Sequence, residues 1–221
     1  MTPGFATCSL SGHSTELKEI MKKPKILAFA GSLRKHSFNR RVLRAAIVGA
    51  EEAGAEVTSV DLRDYPMPVY NPDDHESFGF DENALKFQHL INQHEGLLIA
   101  TPEHNGSFPA ALKNIIEWAS RRNDRYESGR VFPGKVAAMM AASPGAFGGV
   151  RSLIHLRGAL TSVGVHVLPT EIAVPFVVDK FDGDGEEMID ERTRQTLEAL
   201  GASFVEMLKK IHGEGAPGKQ R

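Results

Sequence analysis

Ile26-Leu27-Ala28-Phe29-Ala30 is an unbroken apolar run closed by Gly31, and that run narrows what the chain can fold into. A surface helix shows polar residues at helical spacing, and a half-exposed strand alternates polar with apolar. A short run with neither pattern suits a strand buried on both faces, which requires helices above and below it and so a parallel sheet. Val136 to Ala142 is a second run of the same kind. Neither approaches the roughly 18–20 apolar residues that span a bilayer.

Helical and strand patterns alternate from Lys25 onward. Asn39 to Ala53 reads as a helix with Leu43, Ile47 and small residues inward, closed by Gly54. Ala55–Val60 is the second strand, followed by a proline-rich loop over Asp61–Phe80. Asp81 caps a helix reaching about His94, and Gly96–Ala100 is the third strand. Pro109 opens the next helix, and Lys135–Ala142 is the fourth strand. Gly149–Val163 is a helix, Val165–Leu168 a short fifth strand, and Asp190–Ile211 the last helix. Five strands alternating with five helices predict one α/β domain over residues 24–212, its parallel sheet covered on both faces.

Residues 1–23 read as a flexible extension, with Met21 opening a fresh segment, and residues 213–221 as a flexible tail. The first twenty residues hold no apolar stretch of the signal-peptide kind. Cys8 is the only cysteine, so no intramolecular disulfide forms, and a reducing cytoplasm is the expected compartment. A formal net charge of −2 gives no global pull toward nucleic acid or an anionic membrane. Nine histidines appear without metal-ligand spacing, so no metal is expected.

In doubly wound sheets ligands bind outside the carboxyl ends of the strands. That rule selects three loops, residues 31–39, 101–108 and 143–149. The first, Gly31-Ser32-Leu33-Arg34-Lys35-His36-Ser37-Phe38-Asn39, places two hydroxyls, a guanidinium and an amide before a helix N-terminus, where unpaired N–H groups favour an anion. Arg40, Arg41 and Arg44 put cations at the end of the helix whose dipole disfavours them, which makes sense beside a phosphate. The same residues serve equally as a solvated loop with Ser37 or Asn39 capping the helix. Neither Gly-x-Gly-x-x-Gly nor the phosphate loop of NTPases occurs at this position.

Gly31-Ser32-Leu33-Arg34, with Ser37 and Asn39, resembles the phosphate loop of the NADPH-dependent FMN reductase family, which includes bacterial quinone, azo-dye and chromate reductases. The resemblance implies a flavodoxin-like sheet of order 2-1-3-4-5 and phosphate contacts at Ser32, Arg34, Ser37 and Asn39. The second loop, Thr101 to Ser107, contains an Asn105-Gly106 turn pair that tolerates positive φ. It is similar to the family's Pro-Glu-Tyr-Asn-Gly-Ser stretch, here Pro102, Glu103, His104, Asn105, Gly106 and Ser107, and Leu112-Lys113-Asn114 matches the family's following helix. Its expected role is to hold the flavin edge by backbone donors. His104 departs from the usual tyrosine, which leaves any part played by that ring open. The third loop, Ser143-Pro144-Gly145-Ala146-Phe147-Gly148-Gly149, is similar to the family stretch that closes over the flavin and adds Ser143 and Gly145.

The family implies an NAD(P)H-dependent enzyme that binds FMN, uses NADPH or NADH, and passes electrons to a small acceptor such as flavin, quinone or azo dye. It also implies a homodimer or tetramer, for which Trp118 is a candidate interface residue. No side chain need act as acid or base, so no catalytic residue is nominated. With one nucleotide site, donor and acceptor are expected to take turns over one flavin face, in ping-pong order. A non-enzymatic electron carrier of flavodoxin type is the alternative, although such carriers usually have a Thr-rich phosphate loop and an acidic docking surface. A regulatory module that keeps the fold without flavin is a third possibility.

Overall fold

In the computed structural model, five strands line up in the order β2-β1-β3-β4-β5, all parallel. They are β1 Lys25–Ala30, β2 Glu56–Val60, β3 Gly96–Thr101, β4 Val136–Ala142 and β5 His166–Val174. The structure describes residues 23–126, 131–183 and 187–212. The extension expected through Ile20 and the tail from Gly213 lie outside them.

The apolar run of β1 feeds two cores, because successive side chains of a strand point to opposite faces. Ile26, Ala28 and Ala30 pack with α1 (Phe38–Glu52) and α6 (Glu191–His212). Leu27 and Phe29 pack with α3 (Glu82–Gln93), α4 (Ala110–Ala119) and α5 (Val150–Ser162). Helices α1 and α6 meet through two glycines. A Cβ on Gly49 would lie 2.0 Å from Glu198 O, and one on Gly201 would lie 2.0 Å from Ala46 O. That crossing admits no larger residue.

Two expectations from sequence are corrected. The loop over Asp61–Phe80 contains a 3₁₀ turn at Leu62–Asp64 and a short helix, α2, at Pro72–Phe78. Asn71 caps α2 by accepting from the Asp73 N–H at 3.1 Å, and Pro72 stands in its first turn. No α2 residue is buried, so no apolar period marks it in the sequence. The fifth strand is also longer than Val165–Leu168. It runs through Pro169 to Val174, and its register against β4 shifts between Ala137 and Met139. The edge position tolerates a proline that cannot donate a ladder bond.

Candidate active site

Loop 31–37 leaves β1 beside β3, where the strand order reverses and α/β sheets open a ligand crevice. The Gly31 N–H donates to Ala100 O at 2.8 Å, holding the loop to the end of β3. Ser37 caps α1, its Oγ accepting from the Arg40 N–H at 3.3 Å. Ser32 Oγ accepts from the Arg34 N–H at 3.3 Å. Both serines are buried. Each hydroxyl keeps its own proton to donate, so both suit an anion at the helix N-terminus.

The other residues expected at the phosphate divide. Asn39 is buried, and its amide is spent on the backbone of Ala142, at the end of β4. Arg40 pairs with Asp61 and donates Nη2 to Arg34 O at 2.8 Å, bracing the loop from behind. The buried Arg41 guanidinium lies 5.2 Å from the Phe38 ring centre and 5.4 Å from that of Phe181. Arg44 lines a groove on the β2 side of the loop. Arg34 stands exposed on the loop itself. Hydrogen bonds from Arg63, aided by the charge of Arg40, pull the Asp61 carboxyl down to about 2, so it stays ionised.

The second loop is a two-residue hairpin. His104 N–H donates to Ser107 O at 2.8 Å and Ser107 N–H to His104 O at 3.0 Å. Asn105 and Gly106 have φ of 51° and 80°, the signature of a type I′ turn. Their own N–H groups lie outside that reciprocal pair. His104 is exposed.

Glu103 joins this loop to the third. Arg151, in the first turn of α5, donates Nε to Glu103 Oε1 at 2.6 Å, with Nη2 also paired to Oε1. The guanidinium lies 5.4 Å from the Phe147 ring centre. The Glu103 side chain is only 10% exposed, and its Oε2 is buried with no hydrogen-bond partner. The third loop is pinned to the end of β5. Ser143 N–H donates to Val174 O and Val177 N–H to Ser143 O, each at 3.1 Å. Ser143 Oγ accepts from the Gly145 N–H at 3.2 Å. Arg151 and Phe147 escaped sequence reasoning as residues beside the loops. Phe147 lies inside the expected loop and is 69% exposed, but nothing in the spacing singled it out.

These groups fit FMN. The buried, unpartnered Glu103 oxygen calls for an N–H donor, and the turn N–H groups call for acceptors. A flavin's polar edge offers one N–H between two carbonyls. Buried hydroxyls at a helix N-terminus and an exposed guanidinium suit its phosphate.

Trp118 is corrected as an interface candidate. It is buried within the chain, its Nε1 donates to Pro68 O at 2.8 Å, and Tyr70, His75 and Phe80 pack on its ring. Ile115 and Ile116 are both core.

The strand order and the three loops at its switch point define a flavodoxin-like mononucleotide-binding protein. The sequence model of the NADPH-dependent FMN reductase family matches residues 24–179, and the chain belongs to that family. It is therefore an oxidoreductase that works with FMN and a reduced nicotinamide nucleotide. An NAD(P)H-dependent FMN reductase of Pseudomonas aeruginosa is 35% identical over 190 residues, covering 86% of this chain and 97% of that protein. A quinone reductase of Escherichia coli is 31% identical over 192 residues, covering 86% and 98%. Among solved structures, the NAD(P)H:(acceptor) oxidoreductase of Paracoccus denitrificans superposes with a TM-score of 0.72 at 27% identity, covering 85% of this chain and 98% of that one.

Proposed function

We propose that this chain passes electrons from NAD(P)H through FMN to a small acceptor of the quinone class, donor and acceptor taking turns at one site. The observation that carries the reading is the buried Glu103 carboxylate beside the Asn105-Gly106 turn, a donor-acceptor pattern complementary to the flavin edge. FMN held there would supply the two-electron redox chemistry that links the nicotinamide to the acceptor. The residues supply position. Ser32, Ser37 and Arg34 hold the phosphate, the turn N–H groups and Glu103 hold the ring edge, and Arg151 fixes Glu103. Loop 143–149 covers the site and excludes water. Quinone as acceptor is supported by relatives named for quinone reduction in Escherichia coli and Solanum tuberosum.

No helix among the described residues is long and apolar enough to cross a membrane. A reducing cytoplasm fits the single cysteine. A homodimer built on the face around loop 66–80 fits the exposure of Val69 (83%) and Phe78 (86%). The purified protein should carry the yellow flavin spectrum and consume NADPH with a benzoquinone. A colourless protein that takes up no FMN on titration would sink the reading. Light scattering showing only monomer at micromolar concentration would remove the dimer.

A further inference from the structure

We propose that Phe147 and Phe176 form the apolar contact that takes the flat ring of the electron acceptor, which makes these two side chains the selectors for planar aromatic acceptors. The inference rests on the electron-transfer reading above and adds the residues that choose among its acceptors.

Both rings stand in solvent at the carboxyl end of the sheet. Phe147 lies on the third loop and is 69% exposed, and Phe176 follows β5 and is 52% exposed. Large apolar side chains held in water on adjoining segments mark a surface that another group covers. The segments adjoin because their backbones touch. A Cβ on Gly148 would lie 2.8 Å from Pro175 N, so the third loop and the residue before Phe176 lie backbone to backbone. The Phe176 N–H donates to Gly145 O at 3.4 Å, and the Val177 N–H to Ser143 O at 3.1 Å. Phe147 is tied in turn to the second loop. The Arg151 guanidinium rests 5.4 Å from its ring centre and pairs with Glu103.

Backbone strain singles out Phe176. Among the described residues, only Asn105 and Phe176 hold positive φ without being glycine. Asparagine visits that region readily, whereas a bulky phenylalanine does so at a steric cost. Phe176 has φ of 48° and ψ of 43°. The turn it makes seats Val174 and Val177 in the core, and a glycine would make the same turn without strain. Packing of the ring offsets little of that cost, since about half of the residue faces water. A strained backbone under an unburied ring is accounted for when a ligand uses the ring.

Two exposed phenyl rings suit a flat aromatic group, which gains from ring contact as well as from leaving water. A quinone has that shape. Ferricyanide, an octahedral anion, accepts electrons without offering a flat face.

The test measures reduction of naphthoquinone and of ferricyanide by the flavin-loaded wild type, Phe147→Ala, Phe176→Ala and Phe176→Gly. The preference for naphthoquinone, read as the ratio of the two kcat/KM values, should fall roughly two- to tenfold in each variant, the worth of one aromatic contact. Phe176→Gly should unfold at higher urea than Phe176→Ala, because only glycine is unstrained at that φ, yet both should lose the same preference. A readout apart from turnover is calorimetric titration of the oxidised holoenzyme with naphthol and with decahydronaphthol, its saturated counterpart. Naphthol should bind the wild type more tightly, and the gap should close in the variants. Equal losses for both acceptors overturn the inference. So does a preference that glycine restores and alanine does not, since the backbone and not the ring would then carry the effect. Variants that keep the preference but form a smaller assembly in light scattering overturn it too, by showing that a second copy of the chain covers the rings. A wild type that holds FMN yet reduces neither acceptor would instead remove the electron-transfer reading on which the inference stands.

Discussion

Asn39 and Ala142 exchange two hydrogen bonds across the top of the sheet. Asn39 Nδ2 donates to Ala142 O at 3.0 Å, and the Ala142 N–H donates to Asn39 Oδ1 at 2.9 Å. One amide thus joins the start of α1, which follows loop 31–37, to the end of β4, which launches the third loop. Asn39→Ala strips partners from two buried backbone groups and should cost about 2–4 kcal/mol, since each such group left unpaired costs about 1–3 kcal/mol. Urea denaturation of the apoprotein reads this directly. A loss seen only with FMN present would return Asn39 to the phosphate site.

Arg34 answers to the opposite test. It is exposed on loop 31–37, so its removal should leave apoprotein stability within about 0.5 kcal/mol. A charge-assisted contact contributes roughly 1.5–3 kcal/mol, so Arg34→Ala should weaken FMN about ten- to a hundredfold. Riboflavin, which lacks the phosphate, should bind the variant as it binds wild type. Flavin fluorescence titrations settle the matter, and equal losses for the two ligands would remove Arg34 from the phosphate.

How far the sequence was legible follows from what each residue does locally. The sheet could be read because β1 and β4 are apolar on both faces, a pattern fixed by neighbours above and below. Asn105-Gly106 was readable as a turn because few other pairs tolerate two successive positive φ values. The bonds of Asn39 to Ala142 were not readable, because the two lie far apart along the chain and a backbone partner leaves no mark in side-chain spacing. Arg151 with Glu103 was hidden for a related reason: long-range ion pairs have no sequence period. Trp118 looked like surface until the loop that covers it was placed, and that loop contains a helix with no buried residue to announce it.

The Glu103–Arg151 pair should behave as a unit. Arg151 is 58% exposed, which lets solvent screen the pair, while Glu103 is only 10% exposed. Removing the arginine alone leaves a buried carboxylate without its cation, so Arg151→Ala should destabilise by about 1–3 kcal/mol. Glu103→Gln removes the charge that needs a cation, and adding Arg151→Ala to it should cost little more. A double-mutant cycle by urea denaturation should give a coupling above about 1 kcal/mol. Additive losses would mean that the pair holds nothing.

Lys135, at the start of β4 and away from the site, imposes a pH dependence on stability. Its Nζ bonds His94 O, and burial lowers its pKa from 10.5 to about 8, only partly offset by the charge of Glu95. Between those values the unfolded chain binds more protons than the folded one, so stability from this group rises with pH. Below about pH 8 the cost of the buried charge is fully present, and above 10.5 it is gone. Relative to Lys135→Met, the wild type should therefore gain about 1–2 kcal/mol between about pH 7 and about pH 10.5, a figure reduced for the solvent that reaches the side chain. A wild-type-to-variant difference that stays flat over that range would show the ammonium to be well solvated.

The proposed alternation of substrates rests on one flavin-edge platform, the Asn105-Gly106 turn. If the ring is held along one edge with one face open, a nicotinamide and a quinone cannot both lie within transfer distance of it, and the donor product leaves before the acceptor enters. Initial rates with both substrates varied should give parallel double-reciprocal lines, and NADPH alone under anaerobic conditions should bleach the visible spectrum of the holoenzyme. Intersecting lines would require both substrates bound at once. The platform itself can be tested at Gly106, whose φ is +80° and around which an added Cβ would meet nothing within 4 Å. A substitution there acts through backbone conformation and not through a clash. Gly106→Val puts a β-branched residue where φ must be positive and should slow both half-reactions together, by roughly tenfold or more if the turn shifts by an ångström. Gly106→Asn tolerates the left-handed region and should retain most of the rate. If the valine variant ran both half-reactions at wild-type speed, or if asparagine proved as damaging as valine, the turn conformation would not be what holds the ring.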